Sequence, residues 1–282
     1  MGRMHEKILF IELFQSFAQY RNPFTFYYAQ TYPLPPKSTV IGMLQNACND
    51  WYGADWWDLK VSIHGGFESF FWNYQTLIKG DTEIDESGGL FNKKLPLYGE
   101  GVRAQRTPVY QQELFNGHLY IFLRGNEELI DKAKENFQKP KKVFSLGRSE
   151  DVVFIKDVKL VEAPKPIKAE GDLKLTFPTY ILRRIKQGTQ EINFPIKNKK
   201  YPTYSIPIKI TFKNNGQTVR HKAEITKNTE REVEFASVIY SGYDYSIILD
   251  EGSSLNVEVY SIGDKKIRII GAESSKDQFG WL

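Results

Sequence analysis

The chain has 282 residues, of which 41% are hydrophobic and 26% charged, and its net charge is +4. That length suits one large domain or two modest ones, and near-neutrality excludes the whole-molecule field as an argument for a polyanionic partner. The single cysteine, Cys48, excludes an intramolecular disulfide and any multi-cysteine metal site. No apolar run approaches a membrane span, and Glu12 and Gln15 break the one near the start, so no signal peptide and a cytoplasmic setting are expected.

Ile8 to Ala18 is apolar and β-rich enough for a buried first strand. A polar-aromatic loop follows, closed by Pro33, Pro35 and Pro36. Ser38 or Thr39 then caps a helix with Val40, Ile41, Met43, Leu44, Ala47, Cys48 and Trp51 on its apolar face. Leu59 to Trp72 reads as a second strand, bulged at Gly65-Gly66. Weak periodicity, turn residues and an acidic cluster make Asn73 to Arg106 an inserted loop. Thr107 to Arg124 follows as a hairpin about Asn116-Gly117, a dipeptide suited to a type I′ turn. Asn126 caps a second helix with Glu127 and Glu128 in its first turn and Leu129, Ile130, Ala133 and Phe137 inside. Pro140 ends it. Lys141 to Glu150 is a basic loop and Val152 to Val161 a strand.

Strand, helix, strand, insertion, strand, helix, strand is a βαββαβ order, so an α+β, ferredoxin-like (RRM-like) core is expected, with a β-hairpin insertion at about 73–116. Such a core serves many functions, RNA recognition among them. After Ala163-Pro164-Lys165-Pro166 only short strands and turns remain, which places a boundary between a first domain, 1–164, and a smaller β-rich C-terminal domain, 165–282. Its clearest unit is a hairpin from Ile206 to Ile225 about Asn215-Gly216. Ile206, Ile208, Ile210, Phe212, Val219 and Ile225 share one face with His221, and Lys209, Lys213, Arg220 and Lys222 share the other.

Charge is segregated along the chain. No acidic residue occurs in 13–49, 173–190 or 192–223, while carboxylates gather at 81–86 and 127–135. This pattern fits ordinary solvated faces as well as local attraction of a polyanion. The acid-free stretch from Arg21 to Gly42 adds aromatic rings, Arg21 and Lys37, and hydroxyls leading into a helix start. Rings can stack splayed bases, cations can meet phosphates, and a helix N-terminus offers N–H groups to an anion. A well-packed aromatic loop accounts for the same residues. Gly99 to Ala104 imitates a dinucleotide fingerprint, but no helix pattern follows it. The four histidines lack metal-ligand spacing, and no cofactor is expected. His118, at the expected hairpin tip with Tyr110 and Arg106 on the preceding strand, is the one candidate general acid or base of a metal-independent ribonuclease.

Three segments carry a resemblance: Phe17-Ala-Gln-Tyr-Arg-Asn-Pro-Phe24, Tyr32-Pro-Leu-Pro-Pro-Lys-Ser-Thr-Val-Ile-Gly-Met-Leu44 and Phe144-Ser-Leu-Gly-Arg-Ser-Glu150. Together they resemble the fifth CRISPR-associated protein family of the RAMP superfamily, most closely its type I-B members, over roughly residues 8–160. The resemblance implies a non-catalytic, RNA-binding subunit of an antiviral Cascade complex that caps the 5′ handle of the crRNA and contacts the backbone and large subunits. Carried onto this chain, the RNA contacts are Arg21, Lys37, Ser38 and Thr39 at the helix start and Gly147, Arg148 and Ser149 in the glycine loop. Gln105, Arg106 and Tyr110 belong to an inserted thumb or its base. Candidate partners are therefore the crRNA, those subunits and target DNA near its flanking motif, with no membrane. A type I-C branch of the family cleaves precursor crRNA, which makes His118 and Tyr110 the alternative catalytic pair.

Overall fold

A computed structural model describes residues 7–25, 28–78, 82–84, 90–92, 106–187, 189–197, 201–242, 246–271 and 278–282. The first strand, β1 (Lys7–Ala18), is apolar at consecutive positions because both of its faces are covered. Leu9, Ile11 and Leu13 point to one core cluster, and Ile8 and Phe10 to another. Helix α1 (Lys37–Ala47) and strand β2 (Lys60–Ile78) follow, then β3 (Arg106–Arg124), α2 (Glu127–Gln138) and β4 (Phe154–Glu162). These four strands lie in the order β4-β1-β3-β2, every pair antiparallel. A two-residue strand, Tyr28–Ala29, adds parallel to the outer part of β3.

The two helices cover one face. Val40, Ile41 and Leu44 of α1 and Ile130, Ala133 and Phe137 of α2 join the cluster built on Leu9, Ile11, Val61, Ile63 and Ile121. Asn126 caps α2 as its sequence predicts, accepting from the N–H groups of Glu128 and Leu129, an arrangement worth about 1 kcal/mol. α1 starts differently. Pro36 occupies its N-cap without a side-chain bond, so Ser38 and Thr39 sit inside the first turn rather than capping it. Trp51 lies in the turn after the helix and is exposed, not on the apolar face.

The second sheet face is closed by the C-terminal half. Strands β5 (Ile167–Glu170), β6 (Tyr180–Leu182), β7 (Thr203–Asn214), β8 (Glu230–Tyr240), β9 (Ser254–Ile262) and β10 (Lys265–Ile270) are its main elements. β9 and β10 pair as a hairpin, and their Tyr260, Ile262, Ile267 and Ile269 pack with Trp281 onto Ile8, Phe10, Tyr120 and Phe122 of the sheet. β7 pairs with β8, which also pairs with β6. Tyr180, Ile206 and Val238 of these strands enter the helix-side cluster, so the main core runs across both sides of residue 164. The backbone of Leu282 exchanges two hydrogen bonds with Val61. Among the described residues no helix is long and apolar enough to cross a membrane.

Several expectations are corrected here. β3 is one unbroken strand, so Asn116-Gly117 is no hairpin turn and His118 no tip residue; Gly117 opposes both Phe67 and Gln15. Only Asn116 takes a positive φ, 57°, and a side chain on Gly117 would occupy the Phe67 ring. The kink swaps the strand's faces: Leu114 before it and Leu119, Ile121 and Leu123 after it reach the same core cluster. Gly65-Gly66 is no bulge either, because the β2–β3 register runs through it unshifted. The flanks of the expected insertion, 73–78 and 107–116, are strand, forming the arms of a long ribbon. Farther out Thr82–Ile84 pairs with Leu90–Asn92. In the C-terminal half Asn215 (φ 49°) and Gly216 (φ 82°) do form a tight turn, but only two residue pairs follow it and β7 finds its long partner in β8. His221 is thereby exposed outside any strand instead of lying on an apolar face.

Gly65 marks where a second backbone crosses the sheet edge. Its φ is 120°, its N–H bonds the Pro178 carbonyl at 3.1 Å, and a Cβ there would stand 2.0 Å from the His118 carbonyl oxygen. Gly65→Ala is expected to destabilise the protein by at least about 2 kcal/mol. A urea midpoint equal to that of the parent chain would refute this reading of the crossing.

Candidate nucleic-acid interface

With both sheet faces covered, an open surface must lie at the rim. The glycine loop makes one wall of it. Asp151 is 1% exposed and its carboxylate accepts from the backbone N–H groups of Gln19 and Arg148, both at 2.9 Å. The Gln15 amide reaches across to the carbonyls of Leu146 (2.7 Å) and Asp151 (3.0 Å), and the Tyr20 hydroxyl holds Gln15 in turn. Gly147, at φ 112°, lies so close to Asp151 and the Gln19 carbonyl that a Cβ would come within 2.8 Å of each. The loop is thus pinned at Gln19, just past the end of β1 and two residues before Arg21.

Between that loop, the first turns of α1 and strands β7 and β8 lies a cleft of about 440 Å³. It brings together Arg21, Ser38, Thr39 and Gly147, four of the sequence-predicted contacts. Gly42 forms its floor: a Cβ there would meet nothing within 4 Å, so the space above the helix is open. No carboxylate is among the lining residues, and neither Arg21 nor Arg231 has an ion-pair partner among the described residues. Aromatic side chains frame it: Trp51 is 46% exposed, and Phe235 packs in a tilted contact at 5.3 Å against Phe24, itself 67% exposed. Arg231, Phe235 and Trp51 were missed by sequence reasoning. The alternation Glu230-Arg231-Glu232-Val233-Glu234-Phe235 carries the signal for two of them, since a strand of that pattern sends arginine, valine and phenylalanine to one side.

The other predicted contacts lie elsewhere. Lys37 is buried and lines a separate groove with Asp58 and Lys60; burial lowers its pKa to about 8. The Arg148 guanidinium is consumed internally, bonding Asp151 (2.8 Å), Glu113 (3.0 Å) and Gln111 (3.3 Å). Ser149 is exposed beside the cleft wall with its hydroxyl on Glu150. Tyr110 stands on the ribbon, stacked on Tyr28 (5.4 Å, 10°) and edge-on to Tyr74, with Trp72 against Tyr28. Arg106 opens β3 opposite Ile78; its side chain, and all of Gln105, lie outside the described residues. Tyr110 and His118 are eight residues apart on one strand, roughly 25 Å, so they cannot act on the same bond. His118 packs against Phe14 at 5.1 Å. Among the described residues no group of histidines, cysteines and carboxylates could hold a metal.

The geometry defines an α+β protein, mostly strands with two α-helices among the described residues, whose rim carries an open, carboxylate-free cleft suited to an anionic polymer. A family model described as "CRISPR-associated protein (Cas_Cas5)" matches residues 8–226, and the chain belongs to that family. No curated protein sequence matches it. Among solved structures, one described as "CRISPR RNA-guided surveillance complex" is 14% identical, with 83% of this chain and 88% of that chain covered and a TM-score of 0.46. A CRISPR protein from Archaeoglobus fulgidus is 12% identical, covering 93% and 98%, with a TM-score of 0.33.

The buried contacts of Arg148 make it a structural residue before anything else. Arg148→Ala leaves Asp151 and Glu113 without their cation and should cost about 3 kcal/mol of stability. A drop in RNA affinity with an unchanged melting temperature would instead assign its charge to the ligand.

Proposed function

We propose that this chain is the RNA-holding subunit of a type I Cascade complex and grips the 5′ handle of the crRNA in the rim cleft. One observation carries the reading: Arg21, the Ser38–Thr39 helix start and Gly147 come from three separate segments and meet in a cleft without carboxylates. Membership of the CRISPR-associated family supplies the context. Arg21 and Arg231 offer forked donors to phosphates, the start of α1 contributes its dipole, and Trp51, Phe24 and Phe235 offer faces on which splayed bases stack.

The finer parts of the reading follow the same lines. The strand order β4-β1-β3-β2 with both helices on one face is what a ferredoxin-like core requires, and the segment from Lys165 onward is its β-rich second domain. The ribbon of β2 and β3 is the inserted thumb. Its exposed Phe70, Trp72, Tyr74 and Tyr110 suit contact with the neighbouring backbone subunit, and the likeness of the three segments named above favours type I-B. Holding rather than cutting is supported by the separation of Tyr110 from His118 and by the packing of His118 on Phe14.

The open floor at Gly42 gives a clean test. Gly42→Leu fills the cleft and replaces a mid-helix glycine, so stability should hold or rise by up to about 1 kcal/mol. Affinity for a repeat RNA bearing the 5′ handle, read by fluorescence anisotropy, should fall at least about tenfold, and Arg21→Ala should lower the salt slope by about one ion. The same RNA incubated with the parent chain in EDTA should remain intact. Unchanged affinity in both variants would overturn the cleft assignment; cleavage lost in His118→Ala would overturn the non-catalytic one.

A further inference from the structure

Helix α1 turns two consecutive residues to different cavities. Ser38 faces the cleft, whereas Lys37 enters a groove of about 630 Å³ between the helix start, Asp58–Lys60 and the Leu182–Lys186 segment. Lys37 is 8% exposed and has no hydrogen-bond or ion-pair partner among the described residues. A buried ammonium in that state is costly unless something anionic completes its shell. Trp281 lines the same groove, and its indole Nε1 is the one buried side-chain nitrogen or oxygen without a partner among the described residues. Two residues that line one groove thus carry donors without partners among the described residues, and of these the Lys37 ammonium is the one that asks the groove for an anion.

The rim of the groove agrees in sign. Arg183 and Lys186 are exposed there without an ion pair among the described residues, Arg184 shares only the exposed Glu191 at 3.4 Å, and Lys60 adds a fifth cation. Asp58 and Glu234 are the carboxylate side chains lining it, and neither pairs with Lys37. The groove lies one helix start away from the cleft, a span of about 10 Å. An extended polyanion leaving the cleft across the first turn of α1 would enter it, which a compact anion or a folded acidic partner would not do.

We propose that this groove is a second phosphate site, which holds a backbone phosphodiester of a nucleic-acid strand on the Lys37 ammonium, with Arg183 and Lys186 as outer cations. It extends the RNA-holding reading but stands on its own donors. Burial lowers the Lys37 pKa to about 8, with Asp58 and Glu234 opposing and Lys209 and Lys60 adding to that effect. The free amine is consequently reactive at mildly alkaline pH, and a bound phosphate both covers it and restores its proton.

The experiment is competitive lysine acetylation of the full chain at pH 8, read by peptide mass spectrometry, with Lys266 on the distant hairpin as the internal reference. One arm contains a handle-bearing RNA, the other a single-stranded DNA of the same sequence. Saturating oligonucleotide should slow Lys37 modification at least about fivefold relative to Lys266, and the arm that does so identifies the strand. Arg183→Ala/Lys186→Ala, on exposed positions, should weaken binding about three- to tenfold and lower the salt slope by one to two ions. Oligonucleotide bound by anisotropy with Lys37 unprotected in both arms overturns the groove, as does failure of both strands to bind. Protection that persists in Gly42→Leu would show that the groove holds while the cleft assignment fails.

Discussion

The carboxylate of Asp151 fixes the geometry on which the functional rim depends. It is almost fully buried yet accepts two backbone N–H groups, from Gln19 and Arg148, in addition to the Arg148 guanidinium. A buried charge is tolerable only when its lone pairs are filled in this manner. The consequence is positional: the end of β1 and the glycine loop become one rigid corner, with no room for a side chain at Gly147. Arg21 leaves that corner two residues after Gln19, so its entry into the cleft follows from the corner rather than from contacts of its own. Glu113 and Gln111, reached by the same guanidinium, tie the ribbon to the corner as well. Three elements distant in sequence are thereby oriented by one anion.

A second constraint decides where a ligand can go. Many β-sheet modules that bind RNA present an open sheet face with stacking aromatics. Here the corresponding face is occupied, with Phe10, Tyr120 and Phe122 packed under the β9–β10 hairpin and Trp281. Aromatic stacking capacity moves instead to the ribbon, around Tyr28, Trp72, Tyr74 and Tyr110, and to the cleft mouth, around Trp51, Phe24 and Phe235. The covered face is also why Ile8 to Ile11 read as an unbroken apolar run and not as an alternating strand.

Much of the core was legible because its signals are local. The apolar run of β1, the spacing in α1, the Asn126 cap and the Asn215-Gly216 turn each state their structure within a few residues. What failed was decided by distant partners. Asn116-Gly117 carries a turn signal, but β1 and β2 pair with β3 on both sides and hold it extended through the kink, with Phe67 lying over the glycine. His221 was assigned by pairing outward from a real turn, whereas β7 takes β8 as its long partner. The helix start shows the same limit at finer scale. Ser38 and Lys37 are neighbours in sequence, yet about 100° of helical rotation separates their side chains, and one reaches the cleft while the other reaches the groove. Arg148 looked like a free cation in a basic loop because two of its partners, Glu113 and Gln111, lie more than thirty residues away and the third, Asp151, is turned inward by the backbone N–H groups it accepts.

Net charge obscures how strongly these surfaces are sorted. The strand Glu230 to Phe235 is rich in carboxylates, and taken alone it argues against a polyanion site. Its period-two alternation resolves the conflict: Arg231, Val233 and Phe235 face the cleft, while Glu232 turns away to pair Lys213 at 2.7 Å and Glu234 lines the Lys37 groove. The carboxylates of this strand thus point away from the cleft, with Glu232 neutralising Lys213, and leave Arg21 and Arg231 inside it without an ion pair among the described residues. Within a Debye length of about 8 Å at physiological salt, an anion in the cleft meets Arg21 and Arg231 rather than a molecule of charge +4. Local segregation on a nearly neutral chain supplies attraction at the rim without the general stickiness that a large positive charge would bring.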